Sequence, residues 1–239
     1  MSSPPQSFVS HLIKKEEFAR DVCSFYFERP SVFEFIPGQY IKMILDIKNP
    51  DERGNSRFFS IASSPTEQDH LMITTRIIES AFKKTLAGLP IGSAVQMRGP
   101  HGTFVLDMQD LRPKVFLTGG IGITPFRSMS IYSYVNKLQV PIVLIASFKS
   151  VSDLIFFDEL NKIQNQTFKF IPTITSESDS WQGAKGRIDE NMLKRYIAKP
   201  LESIYYIAGP AGMVDAMVVL VKRIGVLDEQ IKSENFPGY

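Results

Sequence analysis

The pattern of hydrophobicity changes once along this chain, at Leu111-Arg112-Pro113, and that change constrains the fold more than any other feature. Before it, short runs alternate apolar with polar residues. In Gln39–Ile47, the residues Ile41, Met43, Leu45 and Ile47 share one face, while Tyr40, Lys42 and Asp46 share the other. A period of two describes a strand buried on one side. Val22–Glu28 repeats it with Cys23, Phe25 and Phe27. Ser7–Lys14, Ser56–Ser60, Leu71–Ile77 and Ala94–Arg98 add further strands, and Ser80–Ala87 reads as helix. Roughly six short strands, separated by Pro, Gly or charged turns, predict an antiparallel sandwich or barrel.

After the change, short apolar runs alternate with longer helical segments. Val115–Leu117 precedes Pro125–Leu138, Ile142–Ala146 precedes Asp153–Ile163, then come Phe168–Thr173, Ile204–Ala208 and Ala211–Arg223. In the last segment Met213, Met217 and Leu220 fall at i, i+4 and i+7, one helical stripe. Buried strands alternating with helices predict a parallel sheet with helices on both faces. The expectation is two domains, an antiparallel β-barrel over residues 1–110 and an α/β domain over residues 111–239. At about 150 residues per domain, a chain of 239 accommodates this.

Composition removes several functions. The net charge of +2 gives no reason to expect a nucleic-acid partner. No apolar run approaches the ~18 residues of a membrane span. The first eight residues, Met1 to Phe8, have neither a basic start nor an apolar core, so a cytoplasmic location is expected. One cysteine cannot hold an iron–sulfur cluster, and His11, His70 and His101 show no zinc-ligand spacing, so no metal is expected.

Four segments carry chemistry. Thr118-Gly119-Gly120-Ile121-Gly122-Ile123-Thr124-Pro125 joins the first strand of the α/β half to a helix. Glycines there let a backbone approach a pyrophosphate, and the helix start supplies free N–H groups and a positive dipole end. A plain turn needing positive φ explains the same glycines. The last glycine of G-x-G-x-x-G is absent, and no G-K-[ST] follows, so neither a standard Rossmann fingerprint nor a P-loop is present. Ala208-Gly209-Pro210-Ala211-Gly212-Met213 forms a second such junction. In a parallel sheet both lie at the carboxyl edge, where ligands bind. In Arg57-Phe58-Phe59-Ser60, Arg57 and Ser60 lie on opposite faces of an ideal strand, which fits either an ordinary strand end or a ligand that wraps an edge. The end of the chain, Glu234-Asn235-Phe236-Pro237-Gly238-Tyr239, places two aromatics where they either patch the core or cover a flat ligand.

Together these segments resemble the ferredoxin–NADP reductase family, the two-domain FAD/NAD(P)H oxidoreductase module. Arg57–Ser60 resembles its R-x-Y-[ST] flavin motif, extended by Ser63. Gly99-Pro100-His101-Gly102-Thr103-Phe104 resembles G-P-x-G-x-F. Thr118–Phe126 resembles the pyrophosphate loop, Ala208–Met213 the later G-P-x-x-M nicotinamide-side loop, Ser147–Leu160 the adenosine-ribose segment, and Glu234–Tyr239 the terminal E-x-F-x-G-Y.

The resemblance implies bound FAD, with NADPH or NADH as co-substrate. Arg57 would pair with the FAD pyrophosphate, Phe59 would pack on the isoalloxazine, and Ser60 would hydrogen-bond near flavin N5. Phe58, Arg76, Ser80, Ala81, Phe82 and Lys83 would complete the flavin site, with Phe236 and Tyr239 as its aromatic cover. Thr118, Gly119, Gly120, Gly122, Ile123, Thr124, Pro125, Gly209, Pro210 and Met213 would bind the dinucleotide. Ser60 and Glu234 would be catalytic, Glu234 by steadying the nicotinamide. Lys149, after the strand Ile142–Ala146, would favour NADPH, or be a solvated surface lysine. Phe59 replaces the family's commoner Tyr, and Ala208 stands where plant-type members carry Cys. The expected function is transfer of electrons from NAD(P)H through FAD to a separate, unidentified acceptor, a redox protein or small molecule. The alternative is an electron-transfer subunit of a larger oxygenase or dehydrogenase.

Overall fold

Antiparallel pairing takes up the alternating strands of the first half in the computed structural model, which describes residues 4–19, 21–176 and 180–236. In chain order they are β1 (Gln6–Ala19), β2 (Val22–Glu28), β3 (Tyr40–Ile44), β4 (Ser56–Ser60) and β5 (His70–Arg76), then helix α1 (Ala81–Gly88) and β6 (Ala94–His101). The sheet order is β4-β3-β6-β1-β2-β5, so β4 and β5 are its two edges. β1 runs on to Ala19, beyond the expected Lys14, because Gln6–His11 pair with β6 and Leu12–Ala19 pair with β2. The inward face is built as the period of two requires: Phe25, Phe27, Ile41, Met43, Phe59, Ile73 and Phe82 form one buried core. Ile41 stands opposite Phe59 and Met43 opposite Arg57, so Arg57 and Phe59 share that face.

The second half continues with β7 (Lys114–Gly119), α2 (Thr124–Val135), β8 (Ile142–Phe148), α3 (Phe157–Lys162), β9 (Phe168–Ile174), β10 (Ala184–Lys185), α4 (Glu190–Tyr196), β11 (Ile204–Gly209), α5 (Ala211–Arg223) and β12 (Ile231–Asn235). Its sheet has the order β10-β9-β8-β7-β11-β12, with every pair parallel. Helix α5 has the expected bounds. It buries Val214, Met217, Leu220 and Val221 in the cluster that holds Val115, Leu117 and Ile207 of the sheet. The helix expected over Asp153–Ile163 is broken. A 3-10 turn, Val151–Asp153, is followed by Phe156 in the left-handed region (φ 57°), and α3 starts only after it. Burial of Ile155 and Phe156 stabilises that bend. The chain divides into two compact units, one running to Leu106 with Arg127–Tyr132 added, the other comprising Asp107–Phe126 and the remainder from Ser133. Among the described residues no helix is long and apolar enough to cross a membrane, and no cluster of His, Cys, Asp and Glu is set to hold a metal.

Candidate cofactor and nucleotide sites

The two glycine-bearing junctions of the second unit meet. Thr118 Oγ1 at the end of β7 donates to the Ala208 carbonyl on β11 at 2.8 Å. Gly122 lies so close to this bond that a Cβ there would stand 2.6 Å from Ala208 O and 2.7 Å from Gly209 Cα. Gly120 needs the left-handed region, at φ 53°. Residues Gly120–Ile123 make a 3-10 turn that runs into α2, with Pro125 at its second position and Thr124 Oγ1 donating to Ile121 O at 3.1 Å. Met213, in the first turn of α5, lies against both loops: its sulfur would be 3.4 Å from a Cβ on Gly119 and 3.3 Å from one on Gly209. Pro210 caps α5. Lys149 is exposed, directly after the end of β8, and its carbonyl accepts from Ser176 N at 2.8 Å.

A cavity of about 520 Å³ runs along α5, lined by Ser147, Thr175, Arg187 and Met213 and, at the far end of the helix, by Arg223, whose guanidinium stands 3.6 Å from Glu190. Sequence reasoning missed Arg187 and Arg223. The one local signal is the turn glycine Gly186 (φ 89°) directly before Arg187.

Glu234 lies on β12 opposite Ala208. Its Oε2 is buried with no hydrogen-bond partner, and burial pushes its pKa up to about 7. The Phe236 N–H donates to Gly209 O at 2.9 Å, tying the tail to the second junction. Tyr239 lies outside the described residues.

In the first unit, the Arg57 guanidinium is 7% exposed and committed locally. Nη1 donates to the carbonyls of Arg53, Gly54 and Ser56 at 2.8, 2.9 and 2.8 Å, and Nη2 to Asp51 Oδ1 at 2.6 Å. Phe59, 8% exposed, packs on Phe82 with ring centroids 5.9 Å apart. Phe58 points the other way, 62% exposed, with its ring edge-on to Tyr40 at 5.4 Å. Ser60 is half-buried and pairs with Tyr40, on the face opposite Arg57, as an ideal strand requires. Ser80 caps α1 by accepting from Lys83 N at 3.1 Å; Ala81 and Phe82 follow in its first turn. The Lys83 ammonium donates to Thr75 Oγ1 and, at 3.1 Å, to the carbonyl of Arg76, a half-buried residue ending β5. It also stands 5.4 Å from the Phe59 ring centre. Burial, then Arg53 and Arg57, lowers its pKa to about 8. Clustered cations beside aromatic rings are a donor set that fits a diphosphate-bearing aromatic cofactor.

Sequence reasoning also missed the support behind the flavin-motif strand. The buried Arg127 donates to Ala62 O and makes a two-pronged pair with Glu67 at 2.8 and 3.0 Å. Glu67 accepts from Ser64 N, and Ser128 Oγ donates to Ser63 O.

The family models agree with this division of labour. An oxidoreductase FAD-binding domain matches residues 10–106, and an oxidoreductase NAD-binding domain matches residues 116–218. Fold and matches together define an FAD- and NAD-binding oxidoreductase. The chain belongs to the ferredoxin–NADP reductase-like family. It is 26% identical over 240 residues to Flavohemoprotein A of Dictyostelium discoideum, covering 93% of this chain and 58% of that one. To the glycine betaine monooxygenase reductase subunit of Chromohalobacter salexigens it is 28% identical over 225 residues, covering 90% of this chain and 60% of the other. The chain thus spans about three-fifths of these curated relatives. The flavohem-like FAD/NAD-binding domain of a Vibrio cholerae nitric oxide dioxygenase shares the fold at a TM-score of 0.84 and 19% identity, covering 95% of this chain and 98% of that one. A ferredoxin NADP+ reductase from Neisseria gonorrhoeae, solved with FAD and NADP bound, gives 0.83 at 21%, covering 96% and 98%.

Proposed function

We propose that this chain draws electrons from NAD(P)H onto FAD and passes them to a separate acceptor, acting as the reductase of a redox pair. The observation that carries the reading is the junction of the two glycine loops at the Thr118–Ala208 bond, with Gly122 held against it. Backbone N–H groups free at a helix start, approached without a side chain in the way, suit a pyrophosphate. When bound, FAD supplies the redox chemistry, taking up two electrons from the nicotinamide and releasing them onward. The protein's part is to hold, orient and screen. The flavin domain, residues 1–110, binds through the β4 face and α1. The nucleotide domain, residues 111–239, binds through Thr118–Pro125 and Gly209–Met213. Ser60 would hydrogen-bond the flavin, Phe59 would pack beside its ring, and Phe236 with Tyr239 would screen it from water. Glu234 is the carboxyl that steadies the nicotinamide, and an acid whose buried Oε2 has no partner is suited to receive an amide N–H.

For the choice of nucleotide, NADPH is the reading we favour. Lys149 is a point charge at the end of β8, and Arg187, which lines the cavity with Ser147 and Met213, offers the forked donors that bind phosphate better. The acceptor is a redox protein of the same compartment, taken to be the cytoplasm. The names of relatives support this: a propane 2-monooxygenase reductase component from Mycolicibacterium smegmatis is 25% identical over 243 residues. The test is NAD(P)H oxidation with ferricyanide as acceptor by the purified protein. Activity is expected to vanish when FAD is stripped and to return when FAD is added back. Oxidation that persists without flavin refutes the reading.

A further inference from the structure

We propose that Arg127 and Glu67 are positioning residues for flavin reduction: their two-pronged pair fixes α2, the helix onto which the glycine loop opens, to the turn that follows the flavin motif. This rests on the function proposed above and assigns its alignment to residues outside both ligand sites.

α2 runs unbroken from Thr124 to Val135, yet its residues divide. Thr124–Phe126 belong with the second unit and Arg127–Tyr132 with the first. Gly120–Ile123 lead straight into its first turn. At 1.5 Å per residue, Arg127 sits about 4.5 Å along the axis from Thr124, less than one turn. Whatever holds Arg127 therefore holds the start of the helix.

The hold is on the first unit's side. After β4 ends at Ser60, the chain turns through Ala62, Ser63 and Ser64, all buried. Ala62 N donates to Met72 O at 2.7 Å and Ser63 Oγ accepts from Met72 N at 2.9 Å, which ties the turn to β5. Two successive carbonyls of the turn meet two successive residues of α2. Ala62 O accepts from Arg127 Nη1 at 2.8 Å, and Ser63 O accepts from Ser128 Oγ at 2.7 Å. Glu67 closes the clamp, accepting from both Nη atoms of Arg127 at 2.8 and 3.0 Å and from Ser64 N at 2.6 Å.

Stability alone is a poor account of such a pair, since replacing a buried ion pair with apolar side chains of similar volume is often neutral or stabilising. A guanidinium–carboxylate fork adds direction, because its two parallel bonds form in one relative orientation. Burial works to raise the Glu67 pKa, and Arg127 more than reverses it, so the carboxylate stays charged and the fork intact. Alignment is where the reaction is sensitive: a misplacement of about 1 Å costs up to about 100-fold in rate.

The experiment compares wild type, Glu67→Gln, Arg127→Lys and Leu193→Ala. FAD-loaded protein is mixed anaerobically with saturating NADPH or NADH, and bleaching of the flavin band is followed by stopped flow. Melting is measured alongside, and amide exchange is read on the apoprotein. Glu67→Gln should slow the limiting bleaching rate at least about tenfold. The nucleotide concentration that gives half that rate should change little. Arg127→Lys keeps the charge without the fork, so it should recover melting toward wild type and leave the rate low. Leu193→Ala, a cavity on α4 away from these contacts, should lower melting and leave the rate alone. In apoprotein, Glu67→Gln should lose exchange protection over Thr118–Phe126 and keep it over α4. Wild-type bleaching rates in Glu67→Gln, a rate restored by Arg127→Lys, or unaltered exchange over Thr118–Phe126 overturns the proposal. A wild type whose flavin neither nucleotide bleaches refutes the proposed function instead, and the exchange arm then still decides whether the pair holds the loop.

Discussion

The hydroxyl of Thr118 and the carbonyl of Ala208 hold two strand ends together at 2.8 Å, although 90 residues separate them in the chain. Gly122 packs on that bond with no room for a side chain, since a Cβ there would meet the backbone of Ala208 and Gly209 and the Thr118 hydroxyl itself. Gly122→Ala must therefore push the loops apart. Overpacking of this kind costs about 1–3 kcal/mol. A lower melting temperature is expected, together with at least about tenfold weaker NAD(P)H binding, the equivalent of 1.4 kcal/mol. A Gly122→Ala protein that binds nucleotide as wild type does would show that the loop has no such role.

Arg57 and Asp51 make a second testable pair, 2.6 Å apart with Arg57 almost fully buried. Removing the guanidinium leaves three turn carbonyls and a carboxylate to find new partners. The one-third exposure of Asp51 makes the turn carbonyls, which among the described residues Arg57 alone reaches by side chain, the larger part of the loss. Arg57→Met should lower the urea midpoint with an unchanged m-value. Asp51→Asn should cost less, because the amide still accepts from Nη2.

Glu234 sets a pH dependence of definite sign. Its ordinary value is 4.5, and burial in the folded protein raises it to about 7. The folded state thus holds the proton more tightly than the unfolded chain does. Where the unfolded state binds fewer protons, stability falls as pH rises. The Glu234 contribution is therefore present below about pH 4.5, declines between 4.5 and 7, and is flat above. Comparing urea midpoints of wild type and Glu234→Gln at pH 5 and pH 8 isolates it, since Gln does not titrate. The difference between the two proteins should change over that interval, and a constant difference contradicts the raised value.

The tail offers a further separation of roles. The backbone N–H of Phe236 donates to Gly209 O. Deleting Phe236–Tyr239 should change nucleotide affinity and flavin fluorescence while leaving the melting temperature close to that of the full chain. Stacking of an aromatic on a ring is worth ~0.5–1.5 kcal/mol beyond area burial. A large fall in melting temperature with unaltered reduction rates would make the tail a structural patch.

What the sequence reveals follows the range of the interactions. Helix α5 was readable to its ends because Pro210 starts it and a buried stripe runs along it to Arg223. The glycine loops were readable because backbone conformation and close approach leave glycine as the residue that fits. The expected helix at Asp153–Ile163 failed because Phe156 adopts a left-handed conformation that no local signal announces, held by the burial of its own ring. β10 and α4 were missed because a two-residue strand and a seven-residue helix carry too little periodicity. The local commitment of Arg57 was also hidden, since its partners lie in a turn whose sequence, Asp51 to Ser56, reads as surface. Arg187 and Arg223 come to one cavity from separate segments, and only the packing of α5 in the folded unit joins them.

The central claim is that one chain binds FAD and reduces it with NAD(P)H. An anaerobic absorbance titration of the freshly purified protein tests it directly. The account predicts a flavin band near one equivalent per chain that bleaches on adding NADPH or NADH, with NADPH effective at the lower concentration. A protein that carries no flavin and takes up none, or a flavin band that neither nucleotide bleaches, contradicts it.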